Sequence, residues 1–374
     1  VGMHFFNPAT VLPLVEVVSG HATAPEVADT IFATALAWGK TPVRCRSTPG
    51  FIVNRVARPY YGEALRLLAE GAADTATIDA VAMGAGGFRM GPFALMDLVG
   101  LDVNLAVSRS VFEQTFGDQR FAPSVIQQGL VDAGRLGRKT GHGFYRYEET
   151  ATIPAPATVV PGDAQPASIE VVGNLGHASG LVDRLAAGGV GVARRAADAG
   201  PGRLVVGDTV VVPTDGTTAT ELAVRLGRAE VAVLDLVGDW SSATRVAVAE
   251  ADQARGRPAV AFAAAVTPAG VVVSSVGDTP GLVLMRIVAQ LASVAADAVT
   301  LGVASAADVD TAMRLGTNYP RGPLEWAEAL GAATVVDALD RLRAYYGEDR
   351  YRVASGLRRM AIAGTRDSPP GGYG

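Results

Sequence analysis

The chain has 374 residues, 49% of them hydrophobic, and a formal net charge of −5. That length provides for two to three domains with real cores, and the mild acidity argues against nucleic acid or an anionic membrane surface as the main partner. One cysteine, Cys45, excludes an intrachain disulfide and a thiolate metal cluster. Cys45 stands between Arg44 and Arg46 and reads as a half-buried strand residue rather than a reactive thiol. Two lysines, Lys40 and Lys139, stand against thirty arginines. The most apolar stretch, 281–304, contains Arg286, Gln290 and Asp297. A membrane span is therefore not expected there, no secretory signal opens the chain, and a soluble cytoplasmic protein is the expectation.

In chain order, residues 1–6 and 14–18 are strand-like, with β-branched and aromatic residues around a Pro-containing excursion. Two short strands are not stable alone in water. With Val at position 1, the segment reads as the middle of a fold and the chain as a fragment of a longer polypeptide. Residues 51–69 place Ile52, Val56, Tyr60, Leu67 and Leu68 on one helical face, with a kink expected at Pro59.

An internal repeat organises the rest. Thr48-Pro49-Gly50 recurs as Thr279-Pro280-Gly281, an offset of 231. The same offset pairs Arg55 with Arg286, Gly71 with Gly302, Asp79 with Asp310, Gly91-Pro92 with Gly322-Pro323 and Gly100 with Gly331. At 230 it pairs Gly117 with Gly347, Arg120 with Arg350 and Phe121 with Tyr351. Residues near 47–135 and 278–364 thus read as two copies of one helical module. In the second, Ser305-Ala306-Ala307-Asp308 has the pattern of a capping box. Asn54 becomes Met285 there, so the second copy reads as structural, an interface or a pocket wall.

Between the copies, 151–167 is a Pro/Ala-rich linker expected to be exposed. After it, strand-like runs alternate with helical ones: 168–172, 180–187, 209–212, 218–226, 231–236, 243–254, 258–263 and 270–276. This alternation predicts a parallel-sheet α/β domain over 168–277. Its first turn, Gly173-Asn174-Leu175-Gly176-His177-Ala178-Ser179-Gly180, is a loose phosphate-loop echo without the Gly-x-Gly-x-x-Gly spacing. The run near 190–193 leads into Arg194-Arg195, with no acid for a ribose. A degenerate Rossmann-like domain without nucleotide is the reading, with His177 and His142 at the surface rather than acting as ligands. The domain reading is 1–46 for a nucleotide-domain remnant, 47–150 for helical module 1, 151–167 for the linker, 168–277 for the central domain and 278–374 for helical module 2. The fold class is α/β plus all-α.

Three phrases hold the candidate chemistry: His4-Phe5-Phe6-Asn7-Pro8, Leu14-Val15-Glu16-Val17 and Gly50-Phe51-Ile52-Val53-Asn54-Arg55. They supply an imidazole able to act as a base, a carboxylate to orient it and a side chain that donates and accepts at once. Each has a plain alternative. His4 could be a hydrogen-bonded structural residue, Glu16 an edge-strand acid in water, and Asn54 a helix-start cap. A fourth phrase, Gly137-Arg138-Lys139-Thr140-Gly141-His142-Gly143-Phe144-Tyr145, reads alone as a basic glycine-rich turn.

Together these phrases resemble the 3-hydroxyacyl-CoA dehydrogenase family, closely over 1–149 and more loosely over 278–364. The doubled module around a central α/β domain is similar to the long bacterial enzymes of the 3-hydroxybutyryl-CoA and 3-hydroxyadipyl-CoA type. The resemblance implies oxidation of a (3S)-3-hydroxyacyl-CoA to the 3-oxoacyl-CoA with NAD, in β-oxidation or phenylacetate-type catabolism. It makes His4 the base, Glu16 its orienting acid and Asn54 the holder of the acyl oxygen. Asn7 and Lys139 fall on the cofactor side. It also implies an acyl-CoA partner, homo-oligomers through the helical modules and docking of the second module on the first as a pseudo-dimer. In the family a Gly-rich cofactor loop, an acidic ribose ligand and a substrate-contacting serine precede the histidine. The expectation is therefore a chain lacking most of its nucleotide domain and inactive alone. The competing reading is a non-catalytic acyl-CoA-binding or assembly module.

Overall fold

The computed structural model describes residues 1–162, 169–198 and 200–364. Strand β1 (Gly2–Phe5) pairs antiparallel with β2 (Leu14–Ser19), and β2 pairs parallel with β3 (Thr41–Arg46). Helix α1 (Pro25–Ala37) makes the crossover between the parallel strands. The two strands read from the sequence thus gain a third, and β2 is buried between its neighbours. Cys45 is buried on β3. Burial, with Glu16 and Asp308 nearby, pushes its thiol above the ordinary range, so it is an inert core residue.

The first helical segment follows as α2 (Val53–Val56), α3 (Arg58–Ala69), α4 (Thr75–Gly84), α5 (Pro92–Val99), α6 (Leu101–Gln114) and α7 (Val125–Asp132). The helix expected over 51–69 breaks at Ala57, because Pro59 lies in the first turn of α3 and has no N–H to continue the ladder. Asp79 fixes the start of α5 by accepting the N–H groups of Phe93 (2.8 Å) and Ala94 (2.9 Å). Gly91 abuts that carboxylate so closely that a Cβ would stand 2.2 Å from it. The Gly137–Tyr145 phrase closes the segment on Asp97, which is fully buried and accepts the amides of Phe144 and Tyr145, both at 2.9 Å. A Cβ on Gly143 would meet Asp97 at 2.0 Å, so the glycine there is a packing requirement.

Residues 151–162 form no regular element but are stitched to the neighbouring domains, Ala157 N–H donating to Thr77 Oγ1 (2.8 Å) and Val159 N–H to the Val273 carbonyl (2.8 Å). The rest of the expected linker, 163–167, and residue 168 of the first expected strand lie outside the described residues.

The central domain contains β4 (Ile169–Val172), α8 (Gly180–Ala187), β5 (Ala193–Arg195), β6 (Arg203–Val206), β7 (Thr209–Pro213), α9 (Ala219–Leu226), β8 (Val231–Leu234), β9 (Arg245–Glu250), α10 (Pro258–Val266) and β10 (Val272–Val276). The sheet runs β10-β9-β8-β7-β6-β4-β5. It is mixed, which corrects the parallel-sheet expectation. Pairs β4/β6, β6/β7 and β8/β9 are antiparallel. The Gly207-Asp208 turn, with Gly207 at φ 58°, is too short for a crossover and makes a hairpin. No helix separates β8 from β9, so the expected alternation fails there and 243–254 supplies a strand. The runs after it change type too: α10 covers 258–263, and β10 lies within 270–276.

The second helical segment is α11 (Leu284–Thr300), α12 (Ala306–Thr317), α13 (Pro323–Leu330), α14 (Ala332–Tyr346) and α15 (Ser355–Ala363). Residues 365–374 of the expected second module lie outside the described residues. Ser305 caps α12 through the N–H of Asp308, at 3.1 Å. The devices of the first segment recur: Leu324 N–H donates to Asp310 (2.9 Å), and a Cβ on Gly322 would stand 2.4 Å from that acid. Helix α11 is buried almost throughout and packs on α3. Arg286 joins them through Glu63 and Glu70, each at 2.8 Å. Helix α12 lies against α2, β2 and β3, so the second segment also supports the floor beneath His4.

Candidate active site

Antiparallel pairing of β1 with β2 sets His4 directly opposite Glu16. Cross-strand partners on one face stand close enough for their side chains to meet, and here His4 Nδ1 is 2.5 Å from Glu16 Oε2. Glu16 is fully buried, so the edge-strand acid in water is overturned: β2 is the central strand of its sheet. The second carboxylate oxygen, Oε1, accepts the N–H groups of Ile52 and Val53, both at 2.9 Å. These amides open α2, and a carboxylate there is favoured by otherwise unpaired donors. Glu16 thus ties the base to the helix that holds Asn54.

A carboxylate accepts, so in the neutral imidazole of His4 Nδ1 carries the hydrogen and Nε2 keeps its lone pair. The imidazole is one-third exposed and set between two rings, Phe6 at 4.8 Å and Phe51 at 5.6 Å between centroids, both edge-on. Phe51 takes φ 48° and Gly50 φ 75°. A Cβ on Gly50 would stand 2.8 Å from the Arg55 amide nitrogen, so glycine is required for the turn that aims Phe51 at the base. His4 and Phe51 line a cavity of about 430 Å³ with Met3, Gly20, Thr23 and Ser47. The cavity opens beyond the carboxyl ends of β2 and β3.

Asn54 is half-buried and directly follows Val53, the second residue of the Glu16 clamp. It is not the cap of α2: Ile52 holds that position, and among the described residues the Asn54 side chain takes no hydrogen-bond partner. Asn7 is exposed beside Pro8. Lys139 lies elsewhere, with Nζ 2.6 and 2.7 Å from the two oxygens of Asp102, and its ammonium holds that carboxyl below the usual range. Lys139 does not line the His4 cavity. The structure brings His4 and Glu16 together, sets Asn54 on the helix they anchor and leaves Lys139 apart. His177 is half-buried and bonded through Nε2 to the Thr214 carbonyl at 2.9 Å. His142 is half-buried in the turn that closes the first segment. Sequence reasoning missed Phe51, Ser47 and Thr23 as cavity walls, although Thr48-Pro49-Gly50 announces the turn that presents Phe51.

Residues 50–147 and 281–373 match one family description, 3-hydroxyacyl-CoA dehydrogenase, C-terminal domain. Residues 211–280 match the 3-hydroxybutyryl-CoA dehydrogenase reduced Rossmann-fold domain. Residues 1–48 match the 3-hydroxyacyl-CoA dehydrogenase NAD binding domain, and the expectation that most of this domain is lacking is not borne out by that match. The chain is 42% identical over 361 residues to a 3-hydroxyadipyl-CoA dehydrogenase of Escherichia coli K12, covering 96% of this chain and 69% of that protein. It is 43% identical over 150 residues to a 3-hydroxybutyryl-CoA dehydrogenase of Clostridioides difficile, covering 40% of this chain and 53% of that one. A crystal structure of a 3-hydroxybutyryl-CoA dehydrogenase from Escherichia coli K12 superposes with a TM-score of 0.85 at 41% identity, over 97% of this chain and 70% of that one. No helix among the described residues is long and apolar enough to cross a membrane. The chain therefore belongs to the 3-hydroxyacyl-CoA dehydrogenase family of NAD-dependent oxidoreductases.

Proposed function

We propose that the protein oxidises (3S)-3-hydroxyacyl-CoA thioesters to 3-oxoacyl-CoA, with His4 as general base, in β-oxidation or phenylacetate-type catabolism. The observation that carries this reading is the bond between His4 Nδ1 and the buried Glu16. It fixes the tautomer in which Nε2 accepts the hydroxyl proton, and the acid then stabilises the imidazolium that forms. Asn54, with an uncommitted amide on the clamped helix, holds the substrate oxygen near the base. The cavity fits the nicotinamide end of NAD, because open α/β sheets take such ligands beyond the carboxyl ends of parallel strands. Gly20, Thr23 and Ser47 would hold it there; Asn7 and Lys139, which do not line this cavity, are assigned to the cofactor on the family resemblance alone. When bound, NAD accepts the hydride.

Two further readings belong to this proposal. The segments 47–135 and 278–364 are copies of one module, supported by the shared positive φ at Gly50/Phe51 and Gly281/Leu282 and by the repeated aspartate clamps. We propose a substrate range of four- and six-carbon acyl groups, because relatives are named for 3-hydroxybutyryl-CoA and 3-hydroxyadipyl-CoA.

Exchange of His4 for Gln tests the base. Turnover of 3-hydroxybutyryl-CoA with NAD is expected to fall about 10²–10⁴-fold while binding of the CoA ester, read by calorimetry, is retained. Unchanged turnover removes His4 from the chemistry; binding with no turnover in either form favours an acyl-CoA-binding module.

A further inference from the structure

Three arginines of the first helical segment are buried close together: Arg55, Arg58 and Arg120 are 5%, 7% and 6% exposed. Two acids meet them. Asp297 lies 2.9 Å from Arg120 and 3.8 Å from Arg55, and Asp118 lies 2.5 Å from Arg120. Among the described residues Arg58 meets no carboxylate. Its Nε donates to the Asn54 carbonyl (2.9 Å), and its Nη1 to Ser108 Oγ (3.1 Å) and the Asn104 carbonyl (3.4 Å). Its carbon centre lies 5.0 Å over the Tyr61 ring. Burial lowers its proton affinity, yet a guanidinium stays charged in a protein. The buried group therefore holds one positive charge in excess.

The matching region around Arg286, which draws on both segments, is balanced. Arg66, Arg286 and Arg350 face Glu63, Glu70 and Glu348 at 2.8–3.4 Å. The residue 231 positions after Arg58 is Ala289, buried and neutral. The excess charge thus enters with one residue. Arg58 and Arg120 line a common narrow cleft with Tyr61, Ser108, Ser124 and Gln127, of about 20 Å³. Arg120 Nη1 is buried without a hydrogen-bond partner among the described residues.

We propose that this cleft is a binding site for one small monovalent anion, chloride, held between Arg58 and Arg120. A buried charge is costly unless paired, and donors without a matching acceptor are what an anion satisfies. The volume admits one water-sized particle, which favours a halide over a phosphate or a carboxylate.

Crystals of the full chain grown in bromide, with data collected at the bromine edge, test the proposal directly. A bromide peak is expected in the cleft, within contact of both guanidinium groups. At fixed ionic strength, replacing gluconate by chloride is expected to raise the wild-type Tm by about 2 °C and to leave that of Arg58→Met unchanged. If that variant does not fold, the peak and the wild-type salt comparison decide. An empty or water-filled cleft overturns the proposal. So does a peak with equal Tm in both salts, which marks an adventitious ion only.

Discussion

Glu16 and Asp235 each hold the amino end of a helix that opens with a glycine and a second residue at positive φ. Glu16 takes the amides of Ile52 and Val53 on a single oxygen. Asp235 takes those of Val283 and Leu284, the residues 231 positions later, at 3.1 and 2.7 Å. The difference lies in the other oxygen. Glutamate, one methylene longer and on the middle strand, delivers it to His4. Aspartate turns it back on the Met285 and Leu236 amides, at 3.1 and 2.7 Å. Around the first clamp Phe51 faces a cavity; at the second, Leu282 and Met285 are fully buried. A carboxylate that pins a helix becomes part of a base only where its second oxygen is left for an imidazole.

The largest effect is expected from Glu16→Gln. The Gln carbonyl can still accept the helix amides, but its NH₂ then faces Nδ1 and forces the hydrogen onto Nε2, the wrong nitrogen for a base. Steady-state kinetics should show a fall in kcat of about 10³-fold with the thermal transition retained. Activity near wild type would mean that Glu16 is only a clamp, like Asp235.

Asp235→Ala should do the reverse. It strips four buried amides of their acceptor, a loss of about 3–5 kcal/mol in urea unfolding, while kcat per folded molecule stays unchanged. A kcat loss without a stability loss would break the comparison from the other side.

The phrases around His4, Glu16 and Asn54 made the chemistry legible, because a base, an acid and an amide are side-chain facts. The bond between the first two was not, since it rests on a register that places position 4 across from 16 rather than beside it. Asp235 was invisible for the opposite reason: one acid inside the apolar run 231–236 reads as part of that run, and its four partners come from its own neighbour and from residues about 50 positions away. The central sheet was misread as parallel although Gly207-Asp208 is a hairpin signal. The strand before that turn is short, and β8 runs into β9 without a helix. Lys139 shows the limit of a phrase: its ion partner Asp102 lies in the first turn of α6, 37 residues earlier, and nothing in the basic turn itself points there.

The smallest effect separates the two clamps by pH. Burial pushes the Asp235 carboxyl up to about 6, against which its four amide donors act; Asp79 is raised to about 6 as well, again chiefly by burial. An unfolded aspartate titrates near 3.8, so between about pH 4 and 6 the folded state binds more protons than the unfolded one. The stability Asp235 contributes is then fully present below pH 4 and declines as pH rises through 6, by up to about 3 kcal/mol for a shift of this size. Carboxylates held low by arginine, such as Glu70 beside Arg286, add an opposite trend that ends near the ordinary value of 4.5, so the quantity to measure is the difference between wild type and Asp235→Asn. Urea unfolding at several pH values should show that difference shifting against the wild type up to pH 6 and levelling above it. A flat difference would mean that the four amides offset burial in full and that Asp235 is held ionised as firmly as any surface carboxylate.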